Sequence, residues 1–298
     1  MEQLARYNSK LLLMKILLLL LLPILSYSQT VYTGKVINSI TKEVVPYATI
    51  ALVKKNTGTN ANGEGRFNLA VETIAGDTLV ISSIGYTTLK LPIGKLPANG
   101  LYQLEAKPAT LKEVVVNNRR NSKSAILNKF TGISYYSYTT SGITAQVAQR
   151  LQAPVEHSLL SEIHVYKARD QSLFRIRIYG MDSLTMAPSI DLADTIIEIN
   201  SRKEDAWINV EQYRIILPDK DFFVAIEWLK VPYNKRQKKL VIEGKDSYQT
   251  WYSPYIYFKK EIEPLAKEWQ PWDLNYKGYW HQGFSTNRSL MISATVKY

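Results

Sequence analysis

From Val31 to Asn118 the chain alternates apolar and polar residues and is cut every few residues by Gly, Pro, Asn or Asp. The segments "VYTGKVIN", "VPYATIALV", "RFNLAV", "DTLVISSIGY", "TTLKLPI", "LYQLEA" and "LKEVVVNN" each read as a short strand. Strands of this length, at spacings of about 8 to 12 residues with turn signals between them, fold as a sandwich or barrel. No run of three helical turns interrupts them.

The residues before this region have the layout of an export signal. Lys10 and Lys15 precede "ILLLLLLPIL" (Ile16 to Leu25), and "SYS" offers small residues at Ser26 and Ser28, so cleavage is expected before Gln29. The apolar run is shorter than the roughly 20 residues that span a bilayer. Met14 begins a complete signal by itself, so either Met1 or Met14 can serve as the start. Residues 1–28 hold Arg6, Lys10, Lys15 and Glu2, so their removal lowers the net charge from +11 to +9. A basic exported chain can lean on acidic glycans or anionic lipid surfaces, although charge also serves solubility alone. No helix of base-reading side chains is present, so nucleic acid is not an expected partner. The chain has no cysteine, which excludes disulfides, thiolate catalysis, cysteine zinc sites and iron–sulfur clusters.

"GTNANGEGRFNLAV" (Gly58 to Val71) could be an ion-gripping loop or a turn. A calcium loop needs several alternating carboxylates, and only Glu64 is present. A phosphate loop needs Lys-Ser/Thr opening a helix, whereas a strand follows here. Asn62-Gly63 is a strong hairpin signal, so Gly63 and Gly65 are predicted to supply positive φ in a tight turn between strands.

These residues carry a family resemblance. Gly34, Val36, Pro46, Ala48, Ile50, Leu52, Thr59, Asn60, Gly63 or Gly65, Phe67, Leu69, Ile84, Gly85 and Tyr86 fit the pattern of the carboxypeptidase regulatory-like domain. Asn60 departs from it, standing where aspartate is usual. The resemblance spans roughly residues 30–117 and implies a seven-stranded transthyretin-like sandwich that is accessory rather than catalytic. Relatives of the module stand at the N-terminus of TonB-dependent receptors and in other exported envelope proteins. A receptor barrel would need many more alternating spans than the residues after Val116 provide. "LKEVVV" is therefore expected to be the last strand of the sandwich.

"NNRRNSKSAILNK", residues 118–129 with Asn117 before them, reads as a polar, basic linker. Strands are predicted at Glu162–Ala168, Leu173–Met181, Asp194–Asn200, Ala206–Leu217, Asp221–Leu229 and Ser289–Tyr298. The span 130–298 resembles a jelly-roll-like region of exported bacterial proteins and is similar in pattern to carbohydrate-binding sandwiches. The fold class is thus all-β, with a transthyretin-like sandwich followed by a jelly-roll-like one.

Candidate chemistry is thin. His157, His164 and His281 form no His-x-x-Glu or His-Glu-x-x-His pattern, so a zinc peptidase is not expected. No Gly-x-Ser-x-Gly elbow marks a serine nucleophile. Glu227, inside the apolar run "FFVAIEWL", looks buried and needs a partner, which Arg175 or Arg177 could supply across the sheet. A structural ion pair fits it better than half of a glycosidase pair.

The last third is rich in aromatics, which read as ordered loop because prolines interrupt any strand there. Such rings either close the end of the sandwich or form a glycan platform, since sugar C–H faces stack on indole and phenol rings. In the platform reading Trp269, Trp272 and Trp280 stack the sugar, and Asp273, Asn275 and His281 orient it. "PYNKRQKKLVIEGK" (Pro232 to Lys245) reads as a basic hairpin tip, either solvated or touching anionic polymers. The sequence therefore points to an exported protein of the periplasm, outer-membrane surface or exterior, without catalytic activity or cofactor. Its expected partner is a glycan or an envelope protein, with no more than indirect contact with membrane.

Overall fold

The computed structural model describes residues 29–72, 74–107, 123–131, 134, 136–142, 144–242, 245–282 and 287–298. The expected signal peptide, the "LKEVVV" strand and residues 118–122 of the expected linker lie outside the described residues.

The first domain has strands β1 Gln29–Asn38, β2 Thr49–Leu52, β3 Thr57–Asn60, β4 Arg66–Glu72, β5 Thr78–Ser82, β6 Leu89–Pro92 and β7 Leu101–Leu104. They form two sheets, β4-β1-β7 and β3-β2-β5-β6. Alternation drives them together: Phe67, Leu69 and Val71 of β4 point inward while Arg66, Asn68 and Glu72 point out. Ile50, Leu52, Leu79, Ile81 and Leu104 are fully buried between the sheets. Each such side chain contributes about 1.5–3 kcal/mol of burial.

Residues 58–71 do contain a turn, but not the predicted hairpin. β3 and β4 belong to different sheets, so the turn carries the chain across the sandwich. Asn62 organises it by accepting from the backbone N–H groups of Glu64 and Arg66 through Oδ1, at 3.0 and 2.9 Å. Gly65 has φ +74°, whereas Gly63 does not take a positive φ.

The second domain comprises β8 Ser124–Leu127, β9 Ser137–Thr140, β10 Thr144–Gln152, β11 Leu159–Tyr166, β12 Ser172–Met181, β13 Pro188–Asp191, β14 Ile197–Ser201, β15 Asp205–Asn209, β16 Asp221–Trp228, β17 Lys235–Ile242, β18 Lys245–Lys260, β19 Trp272–Asn275, β20 Trp280–Gln282, β21 Arg288–Leu290 and β22 Ile292–Lys297. A large curled sheet runs β13-β12-β16-β10-β19-β20, with β14 also on β12. The facing layer is β15-β11-β22-β8, joined to β17-β18-β21 and β9 through the bridge Lys167↔Ile256. The architecture is all-β and jelly-roll-like. Phe222, Val224, Ile226 and Trp228 of β16 fill the main core, and the Trp228 indole N–H donates to the Pro254 carbonyl of the facing layer at 2.7 Å.

Several predicted boundaries change. Ser124–Leu127, within the segment read as linker, pairs with β22 and is the edge strand of the second domain. The strand predicted over 206–217 stops at Asn209, where a 3-10 turn at Glu211–Tyr213 and a left-handed Arg214 (φ +48°) reverse the chain. The "SYQTWYSPYIYFKK" segment is strand rather than loop. Its proline is tolerated because the β18–β9 register is irregular between Tyr252 and Ile256, so no ladder bond requires the N–H that Pro254 lacks.

The first domain docks on the outer face of the large sheet. Arg175 donates to the carbonyls of Tyr47 and Pro46 at 3.1 and 3.2 Å, and the backbone N–H of Lys230 donates to Asn60 Oδ1 at 2.9 Å. The Lys230 ammonium reaches the Gly58 carbonyl. Gly58 itself is required here, because a Cβ would lie 2.4 Å from the Tyr276 ring of the second domain and 2.5 Å from the Ile50 carbonyl of its own sheet. Ala51, Ala145 and Tyr276 complete an apolar seam.

Candidate functional site

The six residues of the expected glycan platform do not form one surface. Along β19 and β20 side chains alternate, and the pairs Asp273↔His281 and Leu274↔Trp280 sort them onto two faces. Trp272 and Trp280 fall on one face, while Asp273, Asn275 and His281 fall on the other. Asn275 and His281 are hydrogen-bonded at 2.6 Å. Asp273 lies opposite His281 and accepts from Thr144 at 3.5 Å. Trp272 is only 7% exposed and packs edge-on to Phe223, so its faces are not open to a sugar. Trp280 meets Tyr179 edge-on at 5.5 Å. Trp269 stands apart on the 3-10 turn Lys267–Trp269, covered by Arg150 at 4.5 Å, in a cleft of about 270 Å³ that also takes in Gln149, Gln152 and Glu261.

A different aromatic surface stands on the facing layer. His164 of β11 and Trp207 of β15 are cross-strand partners, and their rings stack at 3.9 Å and 6°. Phe130 stacks on His164 at 4.6 Å and tilts against Tyr166 at 6.4 Å, and Tyr166 meets Tyr257 of β18 at 5.1 Å. Five rings thus run from β15 across β11 to β18, and Trp251 and Tyr255 pair nearby at 6.2 Å. β15 has an alternating burial pattern, so Ala206 and Ile208 face the core and Trp207 faces out. Half of Trp207 stays exposed. The His164 stack fixes one side of the indole, and its N–H donates to Asp205 Oδ2 at 3.2 Å.

Asp205 also bonds the His164 ring, so one carboxylate ties two rings together. Burial pushes its pKa up, but the hydrogen bonds from His164 and Trp207 together outweigh this and hold the carboxyl below its ordinary range. Burial, followed by the negative Glu204, pushes the Tyr166 phenol up. Tyr257 is raised by the same two causes in the same order, with Asp170 adding to them. Against this surface lies a cleft of about 450 Å³ lined by Arg169, Arg202, Lys203, Glu204 and Asp205. Its walls are the β11–β12 and β14–β15 connections. Of the ring residues, Trp251, Tyr255 and Tyr257 belong to the aromatic-rich stretch evident in the sequence. Phe130, His164, Tyr166 and Trp207 are scattered singly, and only strand pairing assembles them.

Glu227 is 4% exposed and has the partner its position demands. Arg177 donates to Glu227 Oε2 at 3.0 Å and to Asp191 Oδ2 at 2.7 Å, while Thr49 of the first domain donates to Glu227 Oε1 at 3.3 Å. Burial pushes the Glu227 carboxyl up, but Arg177 and Arg175 overcome this and hold it below the ordinary value. Arg175 itself leans toward Glu198 at 3.8 Å. The arrangement is an ion network capped by the docked domain. Among the described residues no group of three or more His, Asp or Glu side chains is placed to hold a metal ion.

No curated protein matches the chain. Among solved structures it is similar to the cysteine protease and lectin-like domains of Cwp84, a surface-layer-associated protein of Clostridium difficile, at 9% identity and TM-score 0.38, covering 92% of this chain and 59% of that one. A second structure of the clostridial cysteine protease Cwp84, a point variant after propeptide cleavage, is similar at 9% identity and TM-score 0.37, covering 90% of this chain and 71% of that one. The family model described as CarboxypepD_reg-like domain matches residues 32–116. With seven strands in two sheets and this match together, the N-terminal domain of the chain is a carboxypeptidase regulatory-like domain.

Proposed function

We propose that this is an exported, non-catalytic envelope protein that binds carbohydrate on the aromatic face of its second domain. One observation carries the reading: Trp207, half exposed, is held in place by the His164 stack and by its bond to Asp205 beside an open cleft. Large rigid rings offer contact area at low entropic cost, and a ring already fixed loses little more on binding. The signal-like N-terminus supports export, and the lack of cysteine and the neutralised Glu227 support a role without chemistry.

Trp207→Ala is expected to weaken binding of the purified chain to an immobilised polysaccharide panel at least tenfold, as loss of a central aromatic anchor does. The midpoint of thermal unfolding should stay close to wild type, because the ring is outside the core. Unchanged binding in that variant would exclude this surface. A second reading, docking of an envelope protein, is favoured by the exposed Val241 and Tyr248 on the β17–β18 hairpin. It predicts crosslinks from that hairpin to a protein partner that survive excess glycan.

A further inference from the structure

We infer that the carbohydrate taken by this surface is an acidic polysaccharide, whose carboxylate or sulfate groups enter the cleft formed by Arg169, Arg202 and Lys203. This rests on the carbohydrate reading above and names its ligand class. The cleft, of about 450 Å³, is shallow and lies open to solvent, so it suits a stretch of polymer laid across it better than an enclosed small molecule. Its lining has three cations and two acids, so positive charge is in excess. Asp205 is held by His164 and Trp207. Among the described residues, none of the three cations has a carboxylate at salt-bridge distance, in contrast to Arg150, Arg177, Lys239, Lys259 and Lys297. Arg169 and Arg202 are exposed and offer planar forks that suit carboxylate and sulfate oxygens.

The same surface continues beyond the cleft. Arg236 of β17 donates to the Gln171 carbonyl at 2.8 Å, and Gln171 and Tyr233 both bond Asn200. β17 therefore starts against the β11–β12 loop and the end of β14, and it carries Lys238, exposed and on the same face of the strand as Arg236, outward. An anionic group held in the cleft thus has aromatic rings on one side and a basic strand on the other. A polymer with regularly spaced charges on a sugar backbone can use both, whereas a neutral glycan uses only the rings and a bare polyanion only the charges.

The test compares charged and uncharged versions of one backbone: polygalacturonate against fully methyl-esterified polygalacturonate, and dextran sulfate against dextran. The full chain and two variants are used, Trp207→Ala and the combined Arg169→Gln, Arg202→Gln, Lys203→Gln, with circular dichroism as the check on folding. Wild type should prefer the charged form, with an affinity that falls as salt rises. The triple variant should lose about tenfold of that preference, as three exposed charge pairs would, and keep any binding to the neutral form. Trp207→Ala should lose both. Equal binding of charged and neutral forms, unaltered in the triple variant, would overturn the acidic ligand while leaving the carbohydrate reading intact. No binding to any of the four would overturn both. Equal capture of dextran sulfate, anionic phosphatidylserine vesicles and single-stranded DNA, indifferent to Trp207→Ala, would reduce the cleft to nonspecific charge and also overturn the inference.

Discussion

Replacing Trp272 by alanine removes a ring that is 7% exposed and packed with Phe223, Ala148 and Tyr179. The expected cost is about 3–5 kcal/mol of unfolding free energy, measured by urea titration. A loss below about 1 kcal/mol would instead mark the ring as a surface feature. Lys230 makes a second residue-scale prediction. Its ammonium meets the carbonyls of Gly58 and Gly142 and lies over Tyr252 and Tyr276, and burial lowers its pKa from 10.5 to about 8. The folded value lies below the unfolded one, so protonation penalises the folded chain. That penalty is full below pH 8 and fades as pH rises toward 10.5. Stability should therefore rise across this window by up to about 3 kcal/mol, less for any water contact. Comparing Lys230→Met with wild type at about pH 7.5 and about pH 9.5 isolates the contribution, since the variant should lack it. A rise of equal size in both would assign it to other groups.

At the scale of elements, legibility followed local pattern. β12 declares itself through alternation around Arg175 and Arg177 and β16 through the apolar run around Glu227, and the Glu227–Arg177 pair follows because neighbouring antiparallel strands bring such side chains together. β18 does not declare itself, because a proline removes a ladder donor only where a ladder bond exists, and the sequence does not say where that is. The period-2 rule was available for the β19–β20 hairpin too. Once Trp272 through His281 is recognised as a hairpin, the tryptophans and the polar trio must part. The aromatic face of β15, β11 and β18 was hidden for a different reason: His164 and Trp207 are 43 residues apart, and only the strand register makes them neighbours. Lone aromatics on separate strands carry no sign of one another.

At the scale of the whole molecule, the two sandwiches are joined through a seam rather than only through the chain between them. Arg175 hydrogen-bonds the first domain's backbone, Thr49 caps the Glu227 carboxylate, and Tyr276 occupies the space a side chain at residue 58 would fill. A methyl at Gly58 would need the ring or the strand to shift, at a cost of about 1–3 kcal/mol. The covalent link between the domains is consequently expected to be dispensable once both have folded. Protein nicked by a protease between residues 107 and 123 should elute from a sizing column as one particle, and the same nick in Gly58→Ala should release two smaller ones. Separation of the wild-type fragments would mean that the peptide tether, and not the Gly58–Tyr276 fit, keeps the halves in company.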